Sequence, residues 1–311
     1  MLDPELKPFL DEWQRQWAKL PAKATPQDRR AHFEVVAAEM RLPTPDGVST
    51  DRVEWIDTPA GAVRVRVFRH EDGGTSQPCL IYMHGGAWMQ GSPETHWDIT
   101  ARIAAFNRQT VISVDYALAP EHPFPAAIVQ VGAVVEWAFA QAGELGIDPT
   151  RIAIGGDSAG GNLAAAIALK FRGSDCPLHA QLLIYPAVEF EQARPSFTEN
   201  ADGPLLTTAG MPAVNAMYMP NEADRVDPLA APLKAKDHSG LPPAFVAVAE
   251  HDPLRDDGIA YAQALEAAGV PVVLHRGTGL IHGYLRAMEY CAASRDALQA
   301  MCAWLDERNG A

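Results

Sequence analysis

The sequence predicts an α/β fold: a mostly parallel sheet covered by helices on both faces and entered through an antiparallel pair of strands. Three observations carry this. From residue 78 onward, short continuous apolar runs alternate with stretches of helical periodicity, as strands buried on both faces require. Ahead of them, residues 53–67 alternate apolar and charged side chains around a turn, the pattern of a hairpin with one covered face. Two glycine-rich segments, at 84–88 and 155–161, each follow directly on an apolar strand.

Taken in order, residues 3–20 and 27–41 place Leu6, Phe9, Leu10, Trp13 and Trp17, then Phe33, Val36 and Met40, at helical spacing. Pro21 and Pro43 close the two runs, so two N-terminal helices are expected. Val53 and Trp55 alternate with charged residues, as Val63, Val65 and Val67 do with Arg64 and Arg66, and Thr58-Pro59-Ala60-Gly61 supplies the turn between them. Buried strands are expected at 78–83, 110–115, 151–155, 180–185, 244–249 and 271–275. The intervening helices fall near 95–107, 125–143, 159–172 and 256–268, with a last one near 292–308. One interval breaks the rhythm. Residues 188–238, rich in Pro, Met and acids, far exceed the usual connection of about 2–6 residues, which predicts an insertion with a function of its own, such as a lid. The expected division is N-terminal cap helices over 1–45, a catalytic domain made of 46–187 and 239–311, and a cap insertion over 188–238.

A chain of 311 residues suits one large α/β domain with an appended segment, or two ordinary domains, and its 48% hydrophobic content supports a sizeable core. The 39 acidic against 25 basic residues give a formal charge of −14, which repels phosphate backbones and anionic headgroups, so neither nucleic acid nor an acidic membrane is expected as a partner. Cys79, Cys176, Cys291 and Cys302 show no C-x-x-C spacing, and Cys79 lies inside an apolar run. A reducing compartment, the cytoplasm, is expected. The first 20 residues are interrupted by acids, Pro4 and Pro8, and lack the charged and apolar regions of a secretion signal. Nor is there a stretch of about 18 apolar residues, so no membrane insertion is expected.

The chemistry concentrates at strand ends. Ile152-Ala153-Ile154 runs into Gly155-Gly156-Asp157-Ser158-Ala159-Gly160-Gly161-Asn162 and then an Ala-rich helix, the strand, G-x-S-x-G turn and helix of a nucleophile elbow. Such a turn strains the serine backbone, needs small residues at Gly156 and Gly160, and presents Ser158 at a helix N-terminus that favours developing negative charge. No Gly-Lys-Ser/Thr follows, which excludes a phosphate loop. Upstream, Leu80-Ile81-Tyr82-Met83 ends in His84-Gly85-Gly86-Ala87-Trp88, where unencumbered backbone N–H groups can face an oxyanion. Gly85 and Gly86 are the candidate donors there, with Ala159 as the third.

A serine nucleophile needs a base, and the base a carboxylate, found in this order after later strands. Asp252 follows the strand at 244–249, with Glu250 the serious competitor and Asp256 and Asp257 weaker ones. His282 lies in the loop after the last strand; His251 competes on proximity alone, while His70, His96, His179 and His238 lie in polar surroundings. Trp88, Asp157, Tyr185, Met211, Met217 and Tyr218 are the candidate pocket residues. The stretch Met211 to Met219 reads equally well as pocket lining, adaptable to varied acyl groups, or as the packed face of a cap helix.

These motifs resemble the hormone-sensitive lipase-like branch of the α/β-hydrolases, the family IV bacterial esterases. His84-Gly85-Gly86-Ala87-Trp88 is similar to that family's H-G-G-G-F/W block, Gly156-Asp157-Ser158-Ala159-Gly160-Gly161-Asn162 to its G-D-S-A-G-G-N elbow, Asp252-Pro253-Leu254 to its acid segment and His282-Gly283-Tyr284 to its H-G-F. Asp115 to Ala126 is similar to its D-Y-R-L-A-P-E-x-P-F-P-A stretch, with Ala117 in place of the arginine, and Leu183-Ile184-Tyr185-Pro186 resembles another block. The likeness covers roughly residues 50–310 and weakens in 1–45 and 190–225. It implies an α/β-hydrolase fold with an eight-stranded sheet and a helical cap, and hydrolysis of short- to medium-chain carboxylic esters without metal or cofactor. The expected partner is a small acyl ester, and a homodimer is compatible with it. Two alternatives keep their place on the residues alone: the same triad acting on an amide, formamide, thioester or acetylated sugar, and a ligand receptor on this fold.

Overall fold

In the computed structural model, which describes residues 1–310, the alternating valines form strands β1 (Val48–Ile56) and β2 (Val63–His70), paired antiparallel with Val53 opposite Arg66 and Trp55 opposite Arg64. Val63, Val65 and Val67 are buried, whereas Arg64 and Arg66 pair with Glu94, and Arg64 also with Asp115, on the other face. β2 continues into β4 (Thr110–Asp115), again antiparallel. The remaining strands, β3 (Gln77–Met83), β5 (Ile147–Asp157), β6 (Gln181–Ile184), β7 (Ala244–His251) and β8 (Val272–Ile281), run parallel to β4. The sheet order is β1-β2-β4-β3-β5-β6-β7-β8, the mixed eight-stranded sheet expected.

Period-two alternation divides the core into two layers. On β3, Cys79, Ile81 and Met83 face a cluster built with α4 (Ala126–Ala140), α6 (Ala159–Lys170) and α9 (Arg255–Ala267), while Leu80 and Tyr82 face one built with α1 (Leu6–Trp17), α3 (Trp97–Phe106) and α10 (Ala292–Asn309). α2 (Pro26–Glu39) opens on a capping box in which Thr25 and Asp28 exchange bonds, a reason for the chain to start a helix there. The stretch 188–238 contains α7 (Ser196–Glu199), α8 (Met211–Tyr218) and three single 3₁₀ turns.

Three boundaries differ from expectation. The helix expected to reach 143 ends at Ala140, and a short α5 (Ala142–Leu145) follows, closed by Gly146 in the left-handed conformation. β5 begins at Ile147, because Ile147 already pairs with Gln77. β8 runs on through Arg276-Gly277-Thr278-Gly279 to Ile281, which pairs with His251, although its polar and glycine content hides it from a hydrophobic pattern. All four cysteines are free, and among the described residues no helix is long and apolar enough to cross a membrane.

Candidate active site

Ser158 sits between β5 and α6 with φ 55° and ψ −117°, a conformation that L-residues rarely adopt. The surroundings impose it. A Cβ on Gly156 would stand 2.4 Å from the Met83 carbonyl oxygen and one on Gly160 only 2.0 Å from the same atom, so strand and helix close on each other only with glycine at both positions. The Ser158 N–H donates to the Ile184 carbonyl at 2.8 Å, and Oγ lies 2.9 Å from His282 Nε2. His282 Nδ1 is 2.8 Å from Asp252 Oδ2, and the other carboxylate oxygen accepts the Leu254 N–H at 2.8 Å. A carboxylate only accepts, so the imidazole proton belongs on Nδ1 and the lone pair of Nε2 faces the serine hydroxyl. Asp252 is wholly buried, which shields this pair from solvent.

The competing acids and bases point elsewhere. Glu250 is 39% exposed and accepts the Gly279 N–H at 2.6 Å on the outer side of the strand. His251 faces Glu250, Asp256 binds Arg255 and the Ser196 N–H, and Asp257 is buried against Arg194. Burial, and then the nearby Glu189, raises the Asp257 pKa to about 8.

At the end of β3 the expected set of N–H donors needs one correction. The Gly85 N–H donates to Asp157 Oδ1 at 2.9 Å, with His96 Nε2 at 3.2 Å, and is committed to the scaffold instead of the site. The N–H groups of Gly86, Ala87 and Ala159 have no partner among the described residues. Gly86 has φ 132° and a Cβ there would sit 2.0 Å from the Gln90 carbonyl, while Ala87 and Trp88 both adopt φ 55°, which turns this segment sharply. Asp157, expected in the pocket, borders the cleft but uses its carboxylate on Tyr82 Oη (2.7 Å) and Gly85, beneath the turn. His96, whose sequence neighbours are polar, is also buried in this network. His84 stacks on Tyr116 with ring centres 4.2 Å apart, and burial drives its pKa to about 3, so it stays neutral.

Two cavities meet at Ser158. The narrower, about 50 Å³, is apolar and lined by Trp88, Phe190, Leu206, Met211, Val214 and Leu254, with Asn215 and Glu189 at its wall. The wider, about 130 Å³, is lined by Trp13, Phe33, Tyr185, Leu205, His282 and Arg286. Trp88 and Met211 therefore border the narrow cavity and Tyr185 the wide one. Tyr218 and Met217 border neither. Tyr218 is 1% exposed and stacks behind Trp88, ring centres 4.5 Å apart and planes within 5°; Met217 packs against the core, off the α8 face that presents Met211, Val214 and Asn215. Trp13 and Phe33 carried only a helical signal in the sequence, and nothing there marked them as site residues.

A family model described as alpha/beta hydrolase fold matches residues 80–286. The carboxylesterase NlhH of Mycobacterium tuberculosis is 45% identical over 241 residues, covering 76% of this chain and 75% of that protein. An ester-hydrolase from the metagenome of Lake Arreo, solved with a bipyridine phosphonate derivative, superimposes over 100% of both chains with a TM-score of 0.93 at 33% identity. The hyperthermophilic esterase of Pyrobaculum calidifontis superimposes over 100% of this chain and 99% of its own, with a TM-score of 0.88 at 36% identity.

Proposed function

The chain belongs to the α/β-hydrolase family, in its hormone-sensitive lipase-like branch, and is a serine carboxylesterase; from that premise we propose Ser158 as nucleophile, His282 as general base and Asp252 as the carboxylate that orients it. The observation that carries the assignment is the relay of 2.9 and 2.8 Å from the strained Ser158 through His282 to a buried Asp252. As Ser158 Oγ bonds to the ester carbonyl carbon, His282 Nε2 takes the hydroxyl proton and the carbonyl π pair moves onto oxygen. The N–H groups of Gly86, Ala87 and Ala159 receive that oxyanion, Ala87 taking the place first expected for Gly85. Collapse of the adduct breaks the bond to the alcohol oxygen, which leaves with the proton from His282, and the acyl group stays on Ser158. Water, deprotonated by the same imidazole, then releases the acid.

Because His282 must protonate the leaving oxygen, the alcohol lies on its side, in the wider cavity, and the acyl chain takes the narrow apolar one. A cavity of that size closed by Trp88, Phe190 and Met211 supports a preference for short to medium acyl chains. The N-terminal helices and residues 188–238 are proposed as its cap, since both contribute walls to these cavities. The cytoplasm is proposed as its location on the strength of four free thiols, and a homodimer as its assembly, to be read by sedimentation. An organophosphate should modify Ser158 alone, and Ser158→Ala should lower kcat by several orders of magnitude with the fold intact. Adduct mapping by mass spectrometry checks the first; retention of a tenth of wild-type activity would overturn the second.

A further inference from the structure

Beneath the turn that carries Gly86 and Ala87 lies a chain of polar groups, running from the half-buried Arg286 to the buried His96, that the hydrolytic steps leave unused. Arg286 places Nη2 2.7 Å from His96 Nε2, and its Nη1 donates to the Thr95 carbonyl at 3.1 Å. A guanidinium has donors only, so His96 Nε2 accepts, and the ring proton sits on Nδ1, 2.9 Å from Thr95 Oγ1. The Thr95 hydroxyl donates to the Ser92 carbonyl at 2.9 Å and accepts the Ser92 N–H at 2.9 Å, which leaves one lone pair of its oxygen to accept that proton. The ionisable groups facing His96 are His84, with ring centres 5.4 Å apart, Asp157 at 3.4 Å and Arg286. Burial first, with Arg286 reinforcing it against Asp157, holds the His96 pKa below the ordinary histidine value. Arg286 is in turn held from the N-terminal helices: its guanidinium carbon lies 4.6 Å from the centre of the Phe33 ring and 5.7 Å from that of Trp13.

We propose that Arg286 is a positioning residue for the oxyanion turn, through which the N-terminal helices act on catalysis. Phe33 and Trp13 hold the guanidinium, the guanidinium occupies the lone pair of His96 Nε2 and so fixes the neutral Nδ1–H tautomer, and Asp157 Oδ1 is left undisturbed to anchor the Gly85 N–H. Anchoring Gly85 sets the direction of the next two N–H groups, those of Gly86 and Ala87. A proton on His96 Nε2 would compete for Asp157 Oδ1 and release that anchor. The inference rests on the triad and oxyanion assignment proposed above.

Arg286→Met removes the guanidinium and keeps the chain length. It should lower kcat about 10–100-fold, less than the 10²–10³-fold typical of losing a donor outright. Its kcat should also fall more steeply toward acid pH than that of the wild type, because His96 can then take a proton; Arg286→Lys should restore part of kcat. Phe33→Leu, which keeps apolar bulk and loses the ring face, should give a smaller drop of the same kind. ¹⁵N spectra of the histidine-labelled wild type, with His96 assigned by difference from a His96 variant, should show the Nδ1–H tautomer between pH 6 and 8, a readout independent of whether Arg286→Met folds. An Nε2–H tautomer overturns the proposal, as does a folded Arg286→Met whose kcat stays within about twofold of wild type. If the triad assignment itself failed, Ser158→Ala would stay active and Ser158 would escape the organophosphate, while the tautomer of His96 would be untouched.

Discussion

At the scale of the residue, the same few atoms separate Asp252 from Glu250. Glu250 lies near the end of β7 and Asp252 just past it, but only Asp252 reaches His282, and Glu250 is spent on the Gly279 N–H. Asp252→Asn should lower kcat by about 10³–10⁴-fold by favouring the wrong tautomer, whereas Glu250→Gln should stay within about threefold; equal losses in parallel assays would count against Asp252. Asp257 makes a second residue-scale case. Its carboxyl is wholly buried, one oxygen has no partner, and burial raises its pKa to about 8. Between the ordinary carboxylate value and about 8 the native state then holds a proton that the unfolded chain releases, so stability falls as pH rises through that window and levels off above it. Asp257→Asn cannot release the proton. Its Tm should fall less than that of the wild type between pH 5 and 9, by several degrees, since about 1 kcal/mol moves Tm by roughly 2–4 °C in a domain of 150–250 residues. Scanning calorimetry across that range decides it. The positions of Ser158, Asp252 and His282 were legible because each follows an apolar strand. The occupation of the Gly85 N–H was not, since it depends on Asp157 and His96, which no local pattern ties to it.

At the scale of the element, α8 sorts its methionines by face. Met211 lines the narrow cavity, Met217 packs on the core and Met219, just past the helix, is wholly buried. Met211→Ala should shift the acyl-length optimum by one or two carbons toward longer esters, with up to about 1–3 kcal/mol at stake per methylene. Met219→Ala should leave the optimum alone and cost about 2–5 kcal/mol of stability. A panel of esters from acetyl to octanoyl, run beside urea denaturation, separates the two effects; an unmoved optimum in Met211→Ala would show that this residue does not limit the chain. The interior of residues 188–238 was not legible. Its short turns are held by side-chain to backbone bonds such as Asn162 Nδ2 to Ala230 O (2.7 Å) and Ser196 Oγ to Pro253 O (2.6 Å), which leave no period in the sequence.

At the scale of the molecule, the two-layer core follows from strand alternation and was readable, because Cys79, Ile81 and Met83 must face away from Leu80 and Tyr82. That β4 intervenes between β2 and β3 leaves no local signal in the sequence. The N-terminal segment closes the molecule on its far end. Asp3 N–H donates to the Gly279 carbonyl at 2.9 Å, Glu5 accepts the Ala292 N–H at 2.7 Å, and the Phe9 ring lies 5.9 Å from that of Tyr290. α1 and the residues before it thus find part of their covering surface in residues 279–292, which are synthesised long after them. Until that later stretch is made, Leu6 and Phe9 lack part of the surface that covers them, and the nascent chain offers chaperones and proteases an apolar handle. Ribosome-bound chains stalled before Gly279 should be clipped between residues 1 and 20 by a protease that spares the released protein. Equal resistance in both would mean that α1 docks elsewhere first.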